Sequence, residues 1–201
     1  MNTISKIILS NSITIPFTYY FATHNTSNDS NNVDTKIILK DDISSKTTLS
    51  VTKQILNTWD TETINVYENE KKWLKQLHKT DIIAKPLLFD DQNRMVVTEY
   101  SGEKITKANL PTDWESQRDH ILQTLKENNC RHNDIKPDEL LVHKNKIKII
   151  DFGWANESDT NNPTDWPTGL GAEFKCEPVQ SNMGFDDKCS FNKSIQHILN
   201  R

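Results

Sequence analysis

Two aspartates and a lysine that could carry out acid–base chemistry lie within residues 131–155 of the chain. Asp134 and Lys136 occur in the sequence H-N-D-I-K-P, and Asp151 begins the sequence D-F-G. A carboxylate can accept the proton of an attacking hydroxyl, a lysine can neutralise a moving phosphoryl group, and a second carboxylate can hold Mg²⁺. These residue types therefore suit phosphoryl transfer, provided that the fold brings them together.

The residues between the two aspartates predict a β-hairpin. Short apolar and basic runs, residues 142–144 and 146–150, surround a tight Lys-Asn-Lys turn. A hairpin brings its two ends together, and neighbouring strands lie about 4.8 Å apart. Asp134, before the hairpin, and Asp151, after it, should therefore lie within about 10 Å of each other.

This stretch resembles the catalytic core of the protein-kinase-like superfamily, whose pattern is H-R-D-x-K-x-x-N, a hairpin and then D-F-G. The resemblance implies that Asp134 is the catalytic base, that Lys136 neutralises the transferred phosphoryl group, and that Asp151 holds Mg²⁺. The chain departs from the pattern at Asn133, where the family has arginine, and at Glu139, where it has a metal-binding asparagine. Because glutamate oxygens also suit Mg²⁺, the predicted metal ligands are Asp151 and Glu139.

An upstream lysine is the predicted partner of the nucleotide phosphates. Residues 37–40 and 47–55 predict two strands, and in the second strand Lys53 shares a face with apolar side chains. A buried ammonium group needs an anion, and the resemblance implies the α- and β-phosphates of ATP. Alternatively the strand is an edge and Lys53 extends to solvent, and Lys40 is a competing candidate.

Residues 62–77 predict a helix with one apolar stripe, formed by Val66, Trp73, Leu74 and Leu77. Glu70 lies on the same stripe. The segment N-E-K-K-W-L resembles the kinase helix whose glutamate pairs with the strand lysine. Glu70 is therefore the predicted partner of Lys53, although a glutamate at the margin of an apolar stripe is more often only solvated.

Residues 86–90 and 94–100 predict a second hairpin. Its sequence M-V-V-T-E-Y-S-G resembles the last strand of the small kinase lobe and the hinge after it. The resemblance implies that Thr98 guards the adenine pocket and that the backbone of Glu99 and Ser101 binds adenine.

The resemblance also places Leu141, beside the first hairpin, among the cofactor-binding residues. The glycine-rich loop that covers the phosphates in the family has no counterpart, because no glycine precedes Gly102. The arginine that usually precedes the catalytic aspartate binds a phosphate on the activation segment, and Asn133 cannot do so. The enzyme is therefore expected to be active without that phosphorylation.

Two more helices are predicted in the second half of the chain. A capping-box sequence at residues 112–115 opens a helix that ends near Asn128. The sequence D-K-C-S-F-N, which starts at Asp187, resembles the beginning of another kinase helix. Asp187 could cap that helix or hold the backbone of the catalytic loop, and the sequence does not distinguish these roles.

Composition limits the class of protein. With 201 residues and a net charge of -4, the chain suits one compact domain and offers no basic field for nucleic acid. No apolar run approaches the roughly 20 residues of a membrane span. The apolar stretch at the amino terminus is too short and too often interrupted by polar residues for a signal peptide. A cytoplasmic, intracellular location is therefore predicted.

Reduced thiols are also predicted, with neither a disulfide framework nor a zinc site, because the number of cysteines is odd and C-x-x-C spacing is absent.

The fold class implied by the resemblance is α+β, a two-lobed protein-kinase-like fold with a β-rich N-lobe and a short, mainly helical C-lobe. A single domain, residues 1–201, would comprise an N-lobe at 1–101, with an unassigned start at 1–46, and a truncated C-lobe at 102–201.

Three functions remain open. The first is a phosphotransferase that uses ATP and Mg²⁺ to modify Ser or Thr hydroxyls of proteins, which I-K-P after Asp134 favours. The second is a kinase for a small hydroxylated molecule such as a sugar or lipopolysaccharide core, which the missing late helices favour. The third is a pseudokinase, which Asn133, Glu139 and the missing glycine loop favour.

Overall fold

The computed structural model describes residues 35–41, 47–158, 173–174, 176 and 185–201. Within these residues it contains one four-stranded sheet, two smaller sheets and three α-helices. The helices are α1 Val66–Leu77, α2 Trp114–Glu127 and α3 Asp187–Leu199. This mixed composition agrees with the predicted α+β class. No helix in the described part of the chain has the length and apolarity needed to cross a membrane.

The largest sheet consists of antiparallel strands in the order β1-β2-β4-β3. Its strands are β1 Thr35–Asp41, β2 Thr47–Gln54, β3 Pro86–Asp90 and β4 Met95–Glu99. Both predicted strand pairs are confirmed. Because β2 pairs with β1 on one side and β4 on the other, Lys53 does not lie on an edge strand. Lys40 lies on β1, opposite Thr48.

On the apolar face predicted for residues 47–55, the only described side chain that is fully buried is that of Ile55 at its end, which is 1% exposed in the core. Ser50 and Thr52 are buried, whereas Val51 and Lys53 are only half-buried. Small polar side chains are easily covered by neighbouring elements, whereas complete enclosure of an ammonium group is costly. Lys53 therefore keeps part of its side chain open to solvent.

Helix α1 begins at Val66, four residues after the predicted start at Glu62. The side chain of Asn65 accepts a hydrogen bond from the backbone N–H of Glu68 at 3.0 Å. A cap of this kind stabilises a helix start by about 1 kcal/mol. Before it, a turn closed by Thr61 and Ile64 keeps the chain out of the helix. The predicted apolar stripe is confirmed, since all four of its residues are buried.

The second sheet has the order β5-β7-β8, and the third pairs β6 with β9. Their strands are β5 Glu103–Lys104, β6 Cys130–Arg131, β7 Leu140–His143, β8 Lys146–Ile149 and β9 Asn156–Glu157. Strands β7 and β8 form the predicted hairpin. Lys144 and Asn145 form its two-residue turn, with φ angles of 49° and 62°, which is the geometry of a type I′ turn.

Helices α2 and α3 start as predicted, but the capping bonds differ. The carboxylate of Asp113 caps no backbone N–H of α2 and instead accepts a hydrogen bond from the Gln117 side chain at 2.8 Å. Helix α3 is capped by Asp186, whose carboxylate accepts from the N–H of Cys189 at 2.9 Å.

One continuous core joins these elements. Helix α1 contributes Trp73 and Leu77, α2 contributes Ile121 and Leu125, and α3 contributes Phe191 and Ile195. Phe152 of the D-F-G sequence is also fully buried in this core. The sequence around the second aspartate is therefore anchored by apolar packing.

Cys176 and Cys189 form a disulfide, so the prediction of reduced thiols is wrong for this pair. Their Cα atoms lie 5.9 Å apart, a distance that suits a disulfide and that sequence spacing does not reveal. Cys130 is free and buried. Because disulfides are typical of oxidising compartments, the cytoplasmic location stays a prediction.

Some sequence predictions lie outside the described residues. Besides the predictions given above, the sequence has strand-like runs at residues 7–9 and 13–21, and Thr160, Thr164 and Thr168 are candidate phosphorylation sites of the activation segment; all of these positions belong to this group.

Candidate active site

The predicted catalytic loop, residues 131–139 and called the catalytic loop below, is held by the first residue of α3. The two carboxylate oxygens of Asp187 accept hydrogen bonds from the backbone N–H groups of His132 at 2.7 Å and Asn133 at 2.8 Å. Burial raises the pKa of Asp187 to about 6, although these two bonds oppose the shift. Of the two roles left open by the sequence, Asp187 therefore holds the loop, and Asp186 caps the helix.

His132 joins the catalytic loop to the residue that precedes Asp151. Its ring is fully buried against Phe152, and its Nε2 lies 2.9 Å from the carbonyl oxygen of Ile150. The N–H of Asp134 donates to Nδ1 at 3.3 Å, which assigns the proton of the ring to Nε2. Burial lowers the pKa of His132 to about 4, so the ring is neutral at pH 7 and acts as a structural link.

The first charged cluster consists of Lys53, Glu70 and Asp151. The Nζ atom of Lys53 lies 2.8 Å from Asp151 Oδ1 and 3.7 Å from Glu70 Oε2. Burial opposes the charge of Lys53, but the two carboxylates outweigh it and raise the pKa of the lysine. Burial likewise opposes the charge of Asp151, yet Lys53 holds the pKa of that carboxyl below its ordinary value. The structure thus brings together three residues singled out in the sequence.

The second charged cluster consists of Asp134, Lys136 and Glu139. Lys136 Nζ lies 2.6 Å from Asp134 Oδ2 and 3.1 Å from Glu139 Oε1. The side chain of Asp134 is 2% exposed, so Lys136 is the cation that makes its burial tolerable. Burial and the charge of Asp151 raise the pKa of Glu139 to about 8, because they outweigh the opposing charge of Lys136.

The two clusters are adjacent. The N–H of Ile150 donates to the carbonyl oxygen of Glu139 at 3.1 Å, and the charge of Asp151 acts on both Lys136 and Glu139. Among the described residues no group of three or more His, Cys, Asp or Glu side chains is arranged to hold a metal ion. Asp151 and Glu139 are therefore a pair of carboxylates and not a complete cage.

The predicted adenine-binding residues lie at the end of β4 and on β7. The backbone N–H of Glu99 already donates to the carbonyl of Lys85 at 2.8 Å. Ser101 is buried, and Leu141 lies half-buried on the central strand of the second sheet. The common role of Glu99, Ser101 and Leu141 in adenine binding stays a prediction.

Asn69 and Gly153 help to position the D-F-G segment, residues 151–158, a role that was not predicted for them from the sequence. The side-chain amide of Asn69 on α1 donates to the carbonyl oxygens of Gly153 at 2.9 Å and Ala155 at 2.7 Å. At Gly153 a Cβ atom would lie 2.6 Å from Val66 Cγ1, so any larger residue would require Val66 to move. Asparagine is a poor helix former, and this was the available signal that Asn69 has a role beyond the helix.

Comparison with known proteins agrees with this arrangement. The sequence model of the family described as protein kinase domain matches residues 43–169, well over half of the chain. No curated protein matches the chain. The matched region contains both charged clusters and the hairpin between them. The chain therefore belongs to the protein kinase family.

Proposed function

We propose that the chain transfers the γ-phosphoryl group of ATP to a serine or threonine hydroxyl of a protein, in a reaction that depends on Mg²⁺. One observation supports this proposal above the others. Lys53 from β2, Glu70 from α1 and Asp151 from the D-F-G segment converge within 3.7 Å, although they lie far apart in sequence. The two carboxylates would hold Lys53 charged and oriented for phosphate oxygens.

Asp134 is the proposed catalytic base. Its carboxylate is buried, and Lys136 holds it at 2.6 Å, so its orientation is fixed before a substrate arrives. A base positioned in this way accepts the proton of the attacking hydroxyl. Lys136 would then be available to stabilise negative charge on the transferred group.

Asp151 and Glu139 are the proposed Mg²⁺ ligands. Oxygen donors suit this hard cation, and Mg²⁺ is commonly held by one or two carboxylates together with substrate phosphates. The pair found here fits that pattern. When bound, Mg²⁺ supplies charge neutralisation and orientation of the phosphate oxygens.

The adenine would lie between the end of β4 and β7. Since the N–H of Glu99 is already bonded to Lys85, the carbonyl of Glu99 and the backbone of Ser101 are the proposed adenine contacts. Leu141 would provide an apolar surface beneath the ring. These contacts rest on the family resemblance.

We also infer a two-lobed architecture within a single domain of residues 1–201. The N-lobe would extend to residue 101 and contain the four-stranded sheet and α1, and the C-lobe would begin at residue 102 and contain α2 and α3. The concentration of long strands before residue 100 and of two helices after it supports this division.

A pseudokinase is the second candidate, and Glu139 favours it. When ionised, a glutamate near Asp134 and Asp151 adds negative charge where phosphates would bind. An uncompensated pair of like charges at 4 Å costs on the order of 4 kcal/mol at an effective dielectric constant of 20. Without a cation at Asp151 and Glu139, the protein would bind nucleotide weakly and transfer nothing.

A transfer assay with radiolabelled ATP tests the proposal. The protein is incubated with a generic protein substrate and, separately, with a panel of sugars, in Mg²⁺ and in EDTA. Label on the protein substrate only in Mg²⁺ is the expected result. Label on a sugar alone would identify a small-molecule kinase. Equal ATP binding in Mg²⁺ and EDTA with no transfer would identify a pseudokinase.

A further inference from the structure

Asn133 is the centre of a buried network of neutral hydrogen bonds. Its side chain is inaccessible to solvent, and Nδ2 lies within 3.1 Å of the carbonyl oxygens of Arg131 and Trp154 and of Asn156 Oδ1. Its Oδ1 accepts a hydrogen bond from the backbone N–H of Phe185 at 3.2 Å. One side chain therefore connects the catalytic loop, the D-F-G segment and the residues before α3.

An arginine at position 133 could not make the same contacts. A guanidinium group donates only, so it could not accept from the N–H of Phe185, and burying its charge requires an anion nearby. The amide of Asn133 donates and accepts without carrying charge. The backbone also suits asparagine, because φ at this residue is 67°, in a region that asparagine enters more readily than most residues.

Asn69 holds the same segment from a different element, α1. Its bonds to Gly153 and Ala155 come from α1, beside Glu70. The indole N–H of Trp73, one turn further along α1, donates to the same Ala155 carbonyl at 3.1 Å. The D-F-G segment is thus bound by neutral donors from α1 and from the catalytic loop, besides the ion pairs of Lys53 with Asp151 and of Lys72 with Glu157.

We propose that Asn69 and Asn133 form an amide clamp that fixes the D-F-G segment and the catalytic loop in one arrangement without a phosphate group. The two asparagines are positioning residues, since neither belongs to the charged clusters. They act through Asp134, which follows Asn133 directly, and through Asp151, which begins the clamped segment. The catalytic part of this inference rests on the proposed function.

Hydrogen exchange tests the clamp independently of catalysis. The protein is treated with phosphatase, and exchange of the backbone amides of residues 155–158 is followed by mass spectrometry. Phosphatase treatment should leave this exchange unchanged, whereas Asn133→Gly, which tolerates the positive φ, should accelerate it about tenfold because the bonds that hold the segment are lost. Asn145→Gly is the matched control: Asn145 is exposed and also has a positive φ, of 62°, and exchange should not change.

Asn69→Ala provides a second variant in case Asn133→Gly does not fold. Alanine improves helix propensity, so faster exchange at residues 155–158 would report the lost bonds and not a weakened helix. Unchanged exchange in both variants, or equal acceleration of the wild-type protein by phosphatase alone, would overturn the clamp.

Activity measurements separate positioning from general destabilisation. Asn133→Gly should lower kcat about tenfold, the order expected for a lost buried hydrogen bond, and leave KM for ATP within about twofold. A rise in KM with unchanged kcat would contradict the positioning role. A wild-type protein that transfers no phosphate would overturn the proposed function, whereas the exchange measurement would still decide whether the clamp exists.

Discussion

The two lysine-centred clusters of the site differ in how the chain builds them. Lys53, Glu70 and Asp151 come from a strand, a helix and the D-F-G segment, so their contacts exist only when the whole fold is assembled. Asp134, Lys136 and Glu139 lie within one loop. The first cluster therefore depends on long-range packing, whereas the second is local. In the proposed function the first cluster contacts the nucleotide and the second carries the transfer step. Variants in the two clusters should accordingly have different kinetic signatures.

Asp151→Asn should have the broadest effect, on both binding and turnover, because it weakens the first cluster and removes a proposed metal ligand. We expect turnover to fall at least about a hundredfold, together with nucleotide affinity. Asparagine also tolerates the φ of 67° at this position, so the backbone should be preserved. Steady-state kinetics and titration with a fluorescent ATP analogue would measure the two effects. Normal ATP affinity in this variant would place the metal and the phosphates elsewhere.

Lys53→Met should lower ATP affinity about tenfold, since it removes the cation that joins Glu70 and Asp151. Glu70→Gln should act in the same direction but more mildly, because Asp151 still orients Lys53 at 2.8 Å. Lys40→Met is the matched control on the neighbouring strand. If Lys40→Met abolished activity while Lys53→Met did not, the assignment of the phosphate-binding lysine would be wrong.

The clusters were more predictable than the structure that holds them. Strong local signals, such as the Lys-Asn-Lys turn and the apolar stripe of α1, identified the hairpin and the helix. The pairing of Lys53 with Glu70 followed from the resemblance. By contrast, Asn65 rather than the apolar stripe determines where α1 begins, and a single capping side chain is a weak signal in sequence.

Long-range contacts explain the remaining differences. In sequence, Asn133 indicates only the loss of an arginine, because its bonds to Trp154, Asn156 and Phe185 join segments that sequence alone does not bring together. The disulfide between Cys176 and Cys189 was missed for the same reason. Hydrogen bonds and disulfides of this kind depend on tertiary distance, whereas spacing rules detect only local geometry.

Asp187→Ala should destabilise the protein by about 2 to 4 kcal/mol, because two buried backbone N–H groups of the catalytic loop lose their acceptor. Asp186→Ala is the matched control and removes only the cap of α3, at a cost of about 1 kcal/mol. Urea unfolding followed by circular dichroism would compare the two variants. Equal destabilisation would show that Asp187 does no more than a helix cap.

Glu139→Asn should have the smallest effect on activity. It restores the residue that the family uses, removes a negative charge beside Asp151, and leaves Lys136 paired with Asp134. We expect turnover to be equal to that of the wild type or a few-fold higher, with a weaker dependence on Mg²⁺ concentration. A Mg²⁺ titration of the transfer rate would show this. Loss of activity would instead mean that the glutamate charge is required.

The difference between the clusters is tested most directly by Asp134→Asn. This substitution removes the proposed base and leaves Lys53, Glu70 and Asp151 intact. Transfer of label from radiolabelled ATP and the Kd for Mg·ATP would be measured on the same preparation, with wild-type protein alongside. We predict that transfer falls by about two to four orders of magnitude while the Kd stays close to normal. Transfer at the wild-type rate, or an equal loss of binding and transfer, would contradict the assignment of Asp134 as the catalytic base.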